Sequence, residues 1–138
     1  MKEVGMINRQ IDSALNRQGH MDGLMVVDAG FPCPDGVELI DIALAPGRPS
    51  VLEVLAEIAP VHSVEKVILA EETREHNPTH FGKVSAAFGN GVAVEVIPHT
   101  ELKERSHEVK TIVRTGDFTA WGNVLLVSGA GPRWTVER

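Results

Sequence analysis

Six short runs rich in Val, Ile and Leu, most of them separated by stretches with helical periodicity, constrain this chain more than any other feature. The runs fall at residues 24–28, 37–43, 64–70, 91–97, 109–114 and 123–128, and each has the length of a strand. Between them lie helical patterns. Ile7, Ile11, Ala14 and Leu15 share one face and predict a helix over 7–18, with Asn8 near its start and Gly19 as its stop. Val51, Leu52, Leu55 and Ile58 predict a second over 50–59, ended by Pro60. A third, over 78–88, opens with Pro78 in its first turn, and a short fourth covers 100–106. Strands alternating with helices define an α/β domain. The expected architecture is three layers, α/β/α, around a mostly parallel sheet of about six strands. Residues 115–122 leave no room for a helix between the last two strands, so these either pair antiparallel or lie apart in the sheet.

A chain of 138 residues suits one domain, here spanning 1–138, with 131–138 as a loose tail. Four Phe, two Trp and no Tyr leave the core to aliphatic side chains. The formal net charge of −6, with no Lys/Arg run, argues against nucleic acid as a partner. No apolar stretch is long enough to span a bilayer, and the start carries no signal-peptide pattern. The single cysteine, Cys33, excludes an internal disulfide and a multi-cysteine zinc site. Together these point to a cytoplasmic protein.

In open α/β sheets, ligands bind outside the carboxyl ends of the strands. Asp28 ends the first strand, His99 follows the fourth, and Asn123 lies near the final turn. A carboxylate closing an apolar strand needs a partner or a turn role. His99 after Pro98 starts a helix, where the dipole favours neutral imidazole. His20 follows Gly19 at the first helix stop, a place where histidines are commonly dipole-matched surface residues. It falls at the opposite end of the first strand from Asp28, unless the strand is short or a neighbouring subunit brings the two together. His76 and His80 have i, i+4 spacing, but Pro78 lies between them and no third zinc ligand stands out. Cys33, between two prolines, has no local base to make it a nucleophile. Gly129-Ala130-Gly131 lacks the third glycine and the helix of a dinucleotide fingerprint.

The collinear pattern is sharper than any of its parts. Gly5-Met6-Ile7-Asn8, Gly19-His20-Met21-Asp22, residues 28–36 (Asp-Ala-Gly-Phe-Pro-Cys-Pro-Asp-Gly), Ile40-Asp41 and Pro46-Gly47-Arg48-Pro49 come first. Glu65-Lys66-Val67-Ile68, His99-Thr100-Glu101-Leu102-Lys103, residues 114–119 (Arg-Thr-Gly-Asp-Phe-Thr) and Asn123 follow. In this order and spacing the chain resembles the D-ribose pyranase family, which also contains the L-fucose mutarotases, from about residue 2 to 129. The resemblance implies interconversion of ring forms of a free sugar, with no metal, nucleotide or redox cofactor. It implies His20 as proton donor and Asp28, His99, Lys103, Trp121, Gly122 and Asn123 as sugar-binding residues. It also implies a homo-oligomer, typically a decamer of stacked rings, with the site near a subunit boundary. Two departures bear on the sugar: Trp121 stands where the family usually has Tyr, and Gly122 is commoner in the fucose branch. The competing readings are a mutarotase for L-fucose or another sugar, a non-catalytic sugar-binding module, and, last, a nucleotide- or metal-dependent enzyme on a similar sheet.

Overall fold

The computed structural model describes residues 1–131 and 133–137. Its elements are α1 (Arg9–Asn16), β1 (Gly23–Val27), β2 (Glu38–Asp41), α2 (Val51–Ile58), β3 (Val64–Ala70) and α3 (Glu71–His76). They continue with α4 (Pro78–Ala86), β4 (Ala93–Ile97), α5 (His99–Arg105), β5 (Thr111–Arg114) and β6 (Val124–Ser128). The six strands form one sheet in the order β2-β5-β1-β6-β3-β4. All pairings are parallel except the two made by β6, which runs antiparallel to both β1 and β3. The last two strands therefore do not pair. They flank β1, one on each side, which a short connection can achieve only over the end of that strand. No helix among the described residues is long and apolar enough to cross a membrane.

Alternation along the strands builds two cores. On one face Leu24, Val26, Val67, Leu69, Val113, Val124 and Leu126 pack under α1, α2 and α4, with Ile11, Leu55, Ile58 and Val84 filling the gap. On the other, Met25, Val27, Ile68, Ile112 and Leu125 pack with Leu102 of α5 and Phe31 of the 28–37 loop. The three layers are thus unequal, with several helices on one face and one on the other. Gly23 is needed where β1 meets the approach to β5, because a Cβ there would lie 2.9 Å from Val109.

Capping fixes the helix starts. The Asn8 side chain accepts the Ile11 N–H, and Ser50 accepts the Glu53 N–H. Helix α1 is shorter than the pattern 7–18 predicts. Ile7 precedes the cap and is exposed, and Met6 takes the buried place instead. Helix α3 is absent from the sequence reading. Its six residues, Glu-Glu-Thr-Arg-Glu-His, carry no apolar stripe and no side-chain cap, so no periodic signal marks it. The predicted loose tail includes residues 132 and 138, which lie outside the described residues; 129–131 and 133–137 form neither helix nor strand.

Candidate active site

Asp28 sits one residue beyond β1, at the carboxyl end of the parallel strands. Its backbone N–H donates to Asn123 Oδ1 at 2.8 Å, and its own Oδ1 accepts the Gly30 N–H at 2.9 Å. Because β6 runs backwards, its first residues reach the same end as the last residues of β1, which brings Asn123 to Asp28. Asn123 is buried. Burial pushes the Asp28 carboxyl above its ordinary value, against the hydrogen bonds from Gly30, Asn123 and Gly122.

His99 opens α5 directly after β4, so it reaches the same rim. Its backbone N–H donates to Glu72 Oε2 at 2.9 Å, and its ring meets Phe31 edge-on with centroids 6.2 Å apart. Burial and then the neighbouring Lys103 ammonium hold the imidazole below its ordinary value, outweighing Glu72 and Asp28. Sequence reasoning anticipates that direction but assigns it to the helix dipole. His99 Nδ1 is buried without a hydrogen-bond partner, a polar atom free for a ligand. Lys103 stands one turn along α5, exposed.

The 119–123 loop closes this rim, and three successive carbonyls in it are each held by the α3–α4 corner. Asn77 Nδ2 donates to Ala120 O at 2.7 Å, the Thr73 hydroxyl to Trp121 O, and His80 Nε2 contacts Gly122 O at 3.1 Å. The His76 ring stacks on Trp121 with centroids 4.8 Å apart. His76 and His80 thus belong to different helices and serve the loop. No group of three or more His, Cys, Asp or Glu side chains placed to hold a metal occurs among the described residues. Gly122 is required by space: a Cβ there would stand 2.8 Å from Thr119 O. Trp121 is left-handed at φ 53°. The loop-holding roles of Thr73, Asn77 and His80 escape sequence reasoning, since a polar corner looks the same whether it grips a loop or faces water. Cys33 has its thiol pushed up by burial, which suits an inert side chain.

His20 is not brought to this rim. It lies in the turn before β1, at the other end of a strand whose five residues span about 16 Å. Its Nε2 is 3.3 Å from Glu65 Oε2. Beside it is a cleft of about 340 Å³ bordered by Leu15, Gln18, His62, Ser128 and Trp134. Only one other non-glycine residue among those described, Met21 at φ 72°, shares the left-handed conformation of Trp121, and it follows His20 directly. Such residues cost about 1–3 kcal/mol each and collect at functional sites.

A carboxylate, an imidazole, an ammonium, an amide and an aromatic ring lie at or near the carboxyl ends of this open α/β sheet, the place where proteins of this architecture bind small ligands. More particularly, the chain belongs to the RbsD / FucU transport protein family, whose model matches residues 1–131. It is 42% identical over 132 residues to the D-ribose pyranase of Thermotoga petrophila, covering 94% of this chain and 98% of that one. It is 40% identical over 129 residues to the D-ribose pyranase of Halalkalibacterium halodurans, at the same coverage. The structure of Bacillus subtilis RbsD complexed with D-ribose superposes with a TM-score of 0.90 at 35% identity, over 95% of this chain and 99% of that one. The fucose mutarotase of Streptococcus pneumoniae, solved with L-fucose, shares the fold at a TM-score of 0.77 and 19% identity, over 95% and 99% of the two chains.

Proposed function

We propose that this chain is an isomerase that interconverts the β-pyranose and furanose forms of free D-ribose by acid–base ring opening and reclosure. Its relatives named D-ribose pyranase, alike along nearly the whole chain, support that activity class. The observation that carries the reading is the Asp28–His99 pair. Burial raises the Asp28 carboxyl toward neutral pH, which makes it a better base for the anomeric hydroxyl, and lowers the His99 imidazole, which keeps that ring neutral with Nδ1 free for a sugar hydroxyl.

Opening a hemiacetal ring moves two protons. His20 gives one to the ring oxygen as the bond from the anomeric carbon breaks. The anomeric hydroxyl gives one up, to the Asp28 carboxylate, as the carbonyl forms. Reclosure through a different hydroxyl reverses both transfers, so His20 ends reprotonated. His99, Lys103 and Asn123 hold the remaining hydroxyls, Gly122 lets the loop approach, and Trp121 covers an apolar sugar face. The reaction needs no metal, nucleotide or redox cofactor. Because His20 stands at the far end of its own sheet, a second copy supplies it. The working form is a homo-oligomer, a decamer of stacked rings with sites at subunit boundaries, acting in the cytoplasm.

Exchange NMR on equilibrated D-ribose tests the reading. The protein accelerates pyranose–furanose exchange, and His20→Ala loses about 10²–10⁴-fold of that rate while remaining folded. Undiminished exchange in the variant removes His20 from the reaction. Gly122 favours a second reading, a preference for L-fucose, which the same measurement on that sugar decides.

A further inference from the structure

Three features of the fold converge on the contact between His20 and Glu65. The first is a β-bulge. Val64 pairs with Ser128 and Lys66 with Val127, so Glu65 is the extra residue between them. Bulges of this kind re-aim a side chain. The second is room at Gly129. A Cβ there would stand 2.3 Å from Glu65 Oε2 and 2.5 Å from its carboxyl carbon, so only glycine lets the Glu65 side chain lie across the end of β6. The third is the His20 turn. The Asp22 carboxylate accepts the Gly19 N–H at 2.7 Å and pairs with Lys110 at 2.7 Å, while the Met21 N–H donates to Ser128 O at 2.7 Å. This holds His20 forward at the expense of a left-handed Met21.

Stability does not explain the arrangement. His20 and Glu65 are 61% and 35% exposed at the side chain, and pairs so exposed contribute about 0–1 kcal/mol. The left-handed Met21 alone costs about as much or more. We infer that Glu65 is the positioning residue for His20, a carboxylate that engages Nε2 and thereby leaves Nδ1 as the nitrogen that exchanges the proton with the sugar. This rests on the role proposed above for His20. A carboxylate on one ring nitrogen fixes both the orientation of an imidazole and which nitrogen carries its proton. Asp28, at the other end of β1, is not beside that ring in the same chain.

The test compares the full-length parent with H20A, E65Q, E65A, G129A and the E65A/G129A double variant in sugar exchange, with kcat and KM separated. In E65Q, kcat falls about 10–100-fold, the usual size for removing a partner that orients a functional imidazole. KM stays within about twofold, since the sugar is held by the opposite rim. G129A reproduces the loss, because its methyl displaces the Glu65 carboxylate. The double variant is no worse than E65A alone, the non-additivity expected of residues acting through one contact. Thermal unfolding of each variant stays within about 4 °C of the parent, the shift that roughly 1 kcal/mol produces in a domain of this size. Parent-like kcat in E65Q, with H20A impaired, overturns the positioning role and leaves the reading of His20 standing. A loss in G129A that adds to that of E65A also overturns it. A parent that accelerates no sugar, or an H20A variant as active as the parent, removes the role of His20 and that of Glu65 with it.

Discussion

Trp121 carries two constraints at once, a left-handed backbone and a ring already stacked on His76. One ring face is therefore taken by protein, and the other is the face that the proposed role assigns to the sugar. Indole offers a single N–H donor, whereas a phenol both donates and accepts. Trp121→Tyr is expected to change KM for D-ribose by several-fold, about what one hydrogen bond is worth. Exchange NMR across a panel of sugars checks this, and an identical KM for all of them removes Trp121 from the pocket. Individual side chains were legible in the sequence where chemistry and position coincide. Asp28 and His99 could be placed at one rim because each follows an apolar run whose direction comes from the α/β pattern, whereas Asn123 reaches that rim only because β6 runs antiparallel, which the sequence left open. Glu65 could not, since a bulge depends on the register of two strands that lie some 60 residues apart and leaves no local mark.

Among the elements, the short polar pieces decide the site and the long periodic ones only support it. Helix α3 was invisible to pattern, yet Thr73 and the adjoining Asn77 hold the loop that presents Trp121 and Asn123. Strand β3 and helix α2, read correctly within a residue, contribute the core beneath. The Asp117 carboxylate links these two kinds of element. It accepts the Val51 N–H at the start of α2 at 2.8 Å and the Thr119 N–H at 2.7 Å. Burial alone would raise it, but these N–H bonds hold it below its ordinary value. A carboxylate depressed in the folded state stabilises that state above its unfolded pKa, and the contribution drains as pH falls through the folded value. Asp117→Asn is therefore expected to cost about 1–3 kcal/mol at neutral pH. The gap should shrink below about pH 4. Melting curves across pH measure this, and a gap that holds constant to the lowest pH reached contradicts it.

For the whole molecule, the antiparallel β6 is the decisive element. Its first residue adjoins Asn123, and its last is Ser128, which takes the Met21 N–H behind His20. One strand therefore touches both the Asp28 rim and the His20 turn. The sequence left open whether the last two strands pair, because a short connection permits either arrangement. The observed order places them on both flanks of β1. The proposed sharing of sites between subunits makes a direct prediction. His20→Ala and Asp28→Asn, each nearly inactive alone, regain activity when unfolded and refolded together, since some boundaries then join an intact His20 to an intact Asp28. Activity of the mixture no greater than the sum of its parts would mean that the two residues never meet across a boundary.

Under the proposed sharing of sites, the separation of His20 from Asp28 along one sheet also governs how an assembly counts. A subunit that offers its histidine to one neighbour and its carboxylate to another makes a head-to-tail contact. An open row of such subunits always has one site fewer than it has members, and only closure supplies the last. Activity per subunit then reports whether the ring has closed, and a broken ring announces itself as a missing fraction of turnover before any change in fold.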